Sequence, residues 1–129
     1  MSDEPNILGA APYLLVDDVS ESAAYYRDVL GFELDHFLGD PPWFALVQRG
    51  SAQIMLQTVA DRQGAGPNEK ISKQTWDMYI LTDDAKSLHE EFSRHGATFA
   101  REIEDADYGR REFDVRDNSG YVICFGQIL

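Results

Sequence analysis

The chain repeats itself. The segment Tyr13-Leu14-Leu15-Val16-Asp17-Asp18 returns 66 residues later as Tyr79-Ile80-Leu81-Thr82-Asp83-Asp84, and each copy is followed by a helical pattern that stops at a glycine, Gly31 or Gly96. Two copies of a motif about half a chain long are too few and too long for a solenoid. The arrangement predicts one pseudo-symmetric domain over residues 1–129, with a first module at 8–58, a linker or flap at 59–75 and a second module at 76–128.

Each half reads the same way. Residues 11–16 form a short apolar run suited to a buried strand, and Asp17-Asp18 ends it by offering a carboxylate to the free amides of a helix. Asp18 with Glu21 three positions on resembles a capping box. Val19, Ala23, Tyr26 and Leu30 then follow at helical spacing and make one apolar stripe, which Gly31 terminates. Residues 32–37 alternate as a half-buried strand, 40–42 are a turn, and 43–48 and 52–57 are two more strands joined through Arg49-Gly50-Ser51. In the second half 78–82 is the strand, Asp83-Asp84 the cap, and Leu88, Phe92 and His95 line the helix. Strands follow at 98–103, 110–116 and 121–125, with a loop at 104–108 and the turn Asp117-Asn118-Ser119-Gly120. The linker holds Gly64, Gly66 and Pro67 with no sustained period.

Composition narrows the class of function. Hydrophobic residues make up 43% and charged residues 26% of the chain, the usage of a compact globular protein. No apolar run approaches the ~20 residues of a membrane span, and the first residues lack a basic region leading into an apolar stretch. A cytoplasmic protein is expected. Cys124 is the only cysteine, which leaves no intrachain disulfide and no multi-cysteine zinc site. A net charge of −12 without a Lys/Arg cluster argues against nucleic acid as a partner. The same charge favours a cationic ligand if it converges on a pocket, or serves solubility if it is spread over the surface.

Two segments carry a family resemblance, from about residue 8 to 127. Pro12-Tyr13-Leu14-Leu15-Val16-Asp17-Asp18 with Tyr25-Tyr26-Arg27-Asp28-Val29-Leu30-Gly31-Phe32 resembles the opening module of the vicinal oxygen chelate superfamily, which contains glyoxalase I, extradiol dioxygenases and bleomycin resistance proteins. The run from Tyr108 through Asp117-Asn118-Ser119-Gly120-Tyr121 resembles its closing hairpin. The resemblance implies an α+β fold of paired βαβββ modules curled into a cupped, eight-stranded mixed sheet, usually completed by a second subunit. In metal-using members each module supplies one ligand from its first strand and one from its last, and such sites suit divalent ions with open positions for substrate.

Alignment on the Asp-Asp pairs puts Ala11 and Asp77 at the first-strand positions. Alignment on Ile54-Met55-Leu56 and Ile123-Cys124-Phe125 puts Met55 and Cys124 at the last-strand positions. Alanine cannot coordinate, a thioether is too soft for hard divalent ions, and Cys124 alternates with core residues. Only Asp77 brings an oxygen, so no metal and no cofactor are expected, although a slip in register would admit Gln53 or Gln57. His36 falls in the second strand, His89 on the exposed side of the second helix and His95 at its end, with no ligand spacing between them.

Covalent catalysis has no better support. Cys124 has no neighbouring base in sequence, and Asp77 beside Trp76 is either a desolvated base or a solvated strand-end carboxylate. What remains is an aromatic cup. Trp43, Phe44, Trp76, Tyr108 and Phe113 fall where the family builds its cavity wall, and Asp77, Met55 and Cys124, at the aligned chelating positions, complete the expected ligand-binding set. For Phe44 and Phe113 a place in the core or the subunit interface is the preferred reading, while Trp43 and Trp76 face the pocket. The first functional expectation is a metal-free binding protein resembling bleomycin resistance proteins, holding a small aromatic or cationic ligand in an acidic cleft. The second is a glyoxalase-type lyase or dioxygenase with an atypical ligand set. Open sheet edges and a half-exposed concave face predict a homodimer.

Overall fold

The computed structural model describes residues 4–61, 66–72 and 75–129. Linker positions 62–65 and 73–74, Gly64 among them, lie outside the described residues. The first repeat folds as β1 (Tyr13–Val16), α1 (Val19–Asp28), β2 (Glu33–Leu38), β3 (Phe44–Arg49) and β4 (Ala52–Thr58). The second gives β5 (Met78–Leu81), α2 (Ala85–Arg94), β6 (Thr98–Ala106), β7 (Arg110–Arg116) and β8 (Val122–Ile128). One 3-10 turn, Asn68–Lys70, stands in the linker. No described helix is long and apolar enough to cross a membrane.

The duplication is visible in the topology. The eight strands of the paired βαβββ modules form two four-stranded mixed sheets of identical order, β1-β4-β3-β2 and β5-β8-β7-β6. In each sheet the first strand pairs with the last in parallel and the hairpins are antiparallel. Asp18 caps α1 by accepting from the amides of Ser20 and Glu21, and Asp84 caps α2 by accepting from Ser87. Gly31 closes α1 with φ of 72°, a conformation that favours glycine. A Cβ there would also meet the Arg49 guanidinium at 2.6 Å.

One core serves both repeats. Val16, Val19, Tyr26, Ile54 and Leu56 from the first pack with Phe92, Phe113, Ile123 and Phe125 from the second. Burying each large side chain contributes about 1.5–3 kcal/mol, and neither sheet alone could cover its own apolar face. Two joints stitch the halves. At the first, Tyr26 donates to Asp117 Oδ2 at 2.7 Å, Tyr25 to the Arg116 carbonyl at 3.1 Å and Tyr121 to the Leu15 carbonyl at 2.6 Å. At the second, Arg49 bridges to Glu91 at 2.6 Å and lies over the Phe92 ring at 5.9 Å.

Two expectations need correction, and the choice left at Phe113 is decided. Phe113 is fully buried between Phe92 and Phe125, with centroids at 6.0 and 5.3 Å, so it is a core residue and not a cavity wall. His89 is half-buried and not on an open face: it stacks on Phe99 at 4.3 Å, meets Phe113 edge-on and reaches Glu102 Oε2 at 3.1 Å. The loop expected at 104–108 is half strand, because β6 runs on to Ala106 against Arg110.

Strands β2 and β6 are irregular. β2 slips between Leu34 and His36, and β6 slips between Phe99 and Arg101 and again between Arg101 and Glu104. A bulge turns the next side chain to the other face of a strand. Arg101 therefore stands opposite Asp114, while Phe99 and Ile103 pack on the core.

Candidate functional site

Strand alternation gives each sheet a face turned away from the core. In the first sheet Leu14, Val16, Ala45, Val47, Ile54 and Leu56 point inward. Tyr13, Phe44, Leu46, Met55 and Gln57 are left on the outer face, in register with one another. Phe44 is its centre, with Tyr13 at 6.0 Å, Trp43 at 5.8 Å and His36 at 6.0 Å. Tyr13 donates to Gln57 Oε1 at 2.8 Å, and Trp43 is 47% exposed. Ring faces and a thioether make this wall suited to planar ligands.

The second sheet presents a different chemistry. Phe113 and Val115 point inward, so Glu112 and Asp114 of the same strand point out, and both are buried. Arg101 answers them. Its guanidinium donates to Asp114 at 3.1 Å, to Glu112 Oε1 at 2.9 Å and to Glu104 at 2.9 Å. Tyr79 donates to Glu112 Oε2 at 2.6 Å, and Tyr108 donates to Oε1. Arg101 also lies over Trp76 at 5.8 Å and Arg110 over Tyr79 at 5.4 Å. Arg116 pairs with Glu69. A cavity of about 490 Å³ opens here, lined by Trp76, Arg101, Arg116, Glu69, Asp114 and Val122.

These contacts set the protonation states. Burial pushes the Glu112 carboxyl up, but hydrogen bonds from Tyr108, Tyr79 and Arg101 outweigh it and hold the group below the usual glutamate range. Tyr108 is pushed up to about 12 chiefly by its bond to Glu112. Tyr79 rises through burial and then the same partner. Burial, followed by the Asp114 and Glu112 charges, raises the Cys124 thiol, although the Arg101 guanidinium lies 3.6 Å from its sulfur. A carboxylate already serving three donors is a poor proton acceptor and a protonated thiol a poor nucleophile.

The positions that hold metal in the family have other partners here. Asp77 accepts the Asn68 amide on one oxygen and the Val122 amide on the other, both at 2.8 Å. Its carboxylate ties the linker turn to the start of β8. Met55 sits in register with Tyr13 on the aromatic wall, and Tyr79 stands opposite Cys124. Ala11 has no donor. Among the described residues no three His, Cys, Asp or Glu side chains group so as to hold an ion. The donor set does not fit a divalent metal.

The expected wall residues thus fall into separate groups. Trp43, Phe44 and Met55 share the aromatic face of the first sheet, while Trp76, Tyr108 and Cys124 share the ionic face of the second. The contacts of each face stay within its own repeat. The expectation of an acidic cleft also changes, because Glu69, Glu104, Glu112 and Asp114 each face an arginine. Sequence reading missed Tyr13, Tyr79, Arg101 and Glu112. Tyr13 and Tyr79 are the same position of the repeat, and Glu112 alternates with Phe113. Arg101 carried no such signal, since its bulges are invisible in the pattern.

Comparison with known proteins gives the fold its relatives. The family model described as the glyoxalase/bleomycin resistance protein/dioxygenase superfamily matches residues 8–125. Among solved structures, the bleomycin-binding protein of bleomycin-producing Streptomyces verticillus, complexed with copper(II)-bleomycin, shares 28% identity over 97% of this chain and 98% of that one, with a TM-score of 0.69. TioX from Micromonospora sp. ML1 shares 18% over 94% and 98%, with a TM-score of 0.75. Lactoylglutathione lyase from Agrobacterium tumefaciens shares 20% over 98% and 96%, with a TM-score of 0.68. No curated protein matches the chain.

Proposed function

This chain belongs to the glyoxalase/bleomycin resistance protein/dioxygenase superfamily, and from that premise we propose that it is a binding protein that holds a small planar aromatic compound without a metal of its own. The observation that carries the reading is the state of the four chelating positions. Ala11 and Met55 offer no hard donor, Cys124 is a buried neutral thiol, and both Asp77 oxygens are engaged by backbone amides. The likeness to a bleomycin-binding protein at 28% identity supports the same class.

The ligand site is a cleft closed by dimerisation. An aromatic wall on one sheet and an arginine-bearing wall on the other are complementary surfaces, and β1, β2, β5 and β6 are unpaired sheet edges. A second copy that sets its ionic face opposite the first copy's aromatic face sandwiches the guest. Paired carboxylates leave the ring stack as the main source of affinity. A cation gains from the aromatic faces alone, at about 0.5–2 kcal/mol per ring.

The test is a fluorescence titration with copper(II)-bleomycin and with ethidium, read from the two tryptophans. Trp43→Ala and Trp76→Ala are each expected to weaken binding roughly 2- to 30-fold, the range of one such contact, with unchanged circular dichroism. Unaltered affinity in both variants removes the assignment. Elemental analysis of the purified protein gives the second check, since about one tightly held divalent ion per chain would overturn the metal-free reading.

A further inference from the structure

The two joints between the repeats are related by the duplication but are filled unequally. At the first, Tyr121 inserts its ring beside β1, is 5% exposed, and donates its hydroxyl to the Leu15 carbonyl at 2.6 Å. Superimposing Ile54-Met55-Leu56 on Ile123-Cys124-Phe125 places Ala52 where Tyr121 stands. Leu15 corresponds to Leu81, Tyr26 to Phe92 and Tyr25 to Glu91. The second joint therefore keeps the counterpart of the carbonyl that Tyr121 reaches and has alanine where the tyrosine stands.

The space is there. A cavity of about 220 Å³ is lined by the apolar Ala52, Ile80, Leu88, Phe92 and Phe125 and, on its polar side, by Arg49, Thr82 and Asp83, and it meets a groove of about 500 Å³ along β5 and the β3–β4 turn. The volume exceeds the ~150 Å³ that holds benzene in a closed apolar cavity. The polar end of the socket is also in place. The Thr82 amide donates to the Gly126 carbonyl in the parallel ladder, so the Leu81 carbonyl turns to the free edge of β5, as that of Leu15 does at β1. Arg49 at the rim is already committed to Glu91 and to the Leu30 carbonyl, so it does not compete for that acceptor.

The geometry points to a second ligand site at this joint, for a phenol-class molecule: one aromatic ring between Ala52, Ile80 and Phe92, with its hydroxyl donated to the Leu81 carbonyl. The molecule takes the place of the missing repeat of Tyr121. The site uses neither the aromatic face nor the ionic face of the proposed cleft.

The probe is p-cresol, the tyrosine side chain as a free molecule, titrated into the full chain and followed by NMR at Ala52, Leu81, Thr82 and Phe92. Saturable shifts confined to those residues are expected. Toluene should bind roughly three- to tenfold more weakly, the worth of one net hydrogen bond. Ala52→Tyr should supply the absent side chain, abolish the p-cresol response and leave the copper(II)-bleomycin titration unchanged. Ala52→Val, a smaller filling, serves if that variant does not fold and should weaken p-cresol severalfold. Linear, unsaturable shifts overturn the site, as does full p-cresol binding by a folded Ala52→Tyr protein. Equal affinity for toluene overturns the recognition of the hydroxyl. Sedimentation supplies the last outcome: if Ala52→Tyr splits a dimer, a second copy covers the joint and the proposal falls. Trp43→Ala and Trp76→Ala should leave p-cresol binding intact, which separates failure here from failure of the cleft.

Discussion

Replacing Arg101 by methionine removes the guanidinium that faces two buried carboxylates, Glu112 and Asp114. The Glu112 side chain is 0% exposed and that of Asp114 11%, against 28% for the guanidinium between them. Breaking a buried pair by deleting one partner costs about 3–5 kcal/mol. Tyr79 and Tyr108 still donate to Glu112, which places the expectation near the lower end, at about 3 kcal/mol. For a domain of this size that is a fall in Tm of roughly 10–15 °C. The pH dependence has a fixed sign. In the parent, Glu112 is held below its ordinary value, so its contribution is complete above that value and is lost as the pH falls through the depressed one. Without the guanidinium the carboxyl keeps its burial and loses its cation, so it takes up a proton at a higher pH than in the parent, which relieves part of the cost. Scanning calorimetry of both proteins at pH 8 and pH 5 should show a gap that narrows at the lower pH. Arg101→Lys should recover part of the loss. A Tm within 2 °C of the parent at pH 8, or a gap that widens on acidification, refutes the reasoning.

Asp77→Ala should destabilise by about 2–4 kcal/mol, because two backbone amides lose a charged acceptor, and hydrogen exchange should speed up at the Asn68 and Val122 amides; unchanged exchange there removes the structural role. Gly126→Ala places a Cβ against the Tyr79 ring and should cost about 1–3 kcal/mol by overpacking. Denaturant unfolding with a midpoint equal to the parent's would show that the ring has room to move. Cys124, buried and with a raised pKa, should react with an aromatic disulfide reagent at pH 8 only as fast as the chain opens. Modification at the rate of a free thiol contradicts the burial.

Much of the fold could be read in advance because the repeat imposes its own consistency. Asp18 and Asp84 are caps for the same reason, a carboxylate beside free amides. Tyr26 and Phe92 are core for the same reason, the same turn of an amphipathic helix. The site was less legible. Alternation alone puts the neighbours Trp43 and Phe44 on opposite faces, and they share one wall because β3 begins at Phe44 and leaves Trp43 outside it. Phe113 alternates with Glu112, and packing against Phe92 and Phe125 decided which of the two faced inward. His89 looked exposed on the helix, and only the approach of β6 covers it.

Local spacing thus settled the order of the elements and their caps, because these depend on residues a few positions apart, while the loss of donors at Ala11 and Met55 followed from the family resemblance. Bulges in β2 and β6 decided that His36 and Arg101 join the aromatic and the ionic face. Those slips in register respond to packing against a neighbouring strand, which no single segment encodes. The same holds for the unequal joints. Tyr121 and Ala52 are 69 positions apart, and their equivalence means nothing until both sheets stand against one core.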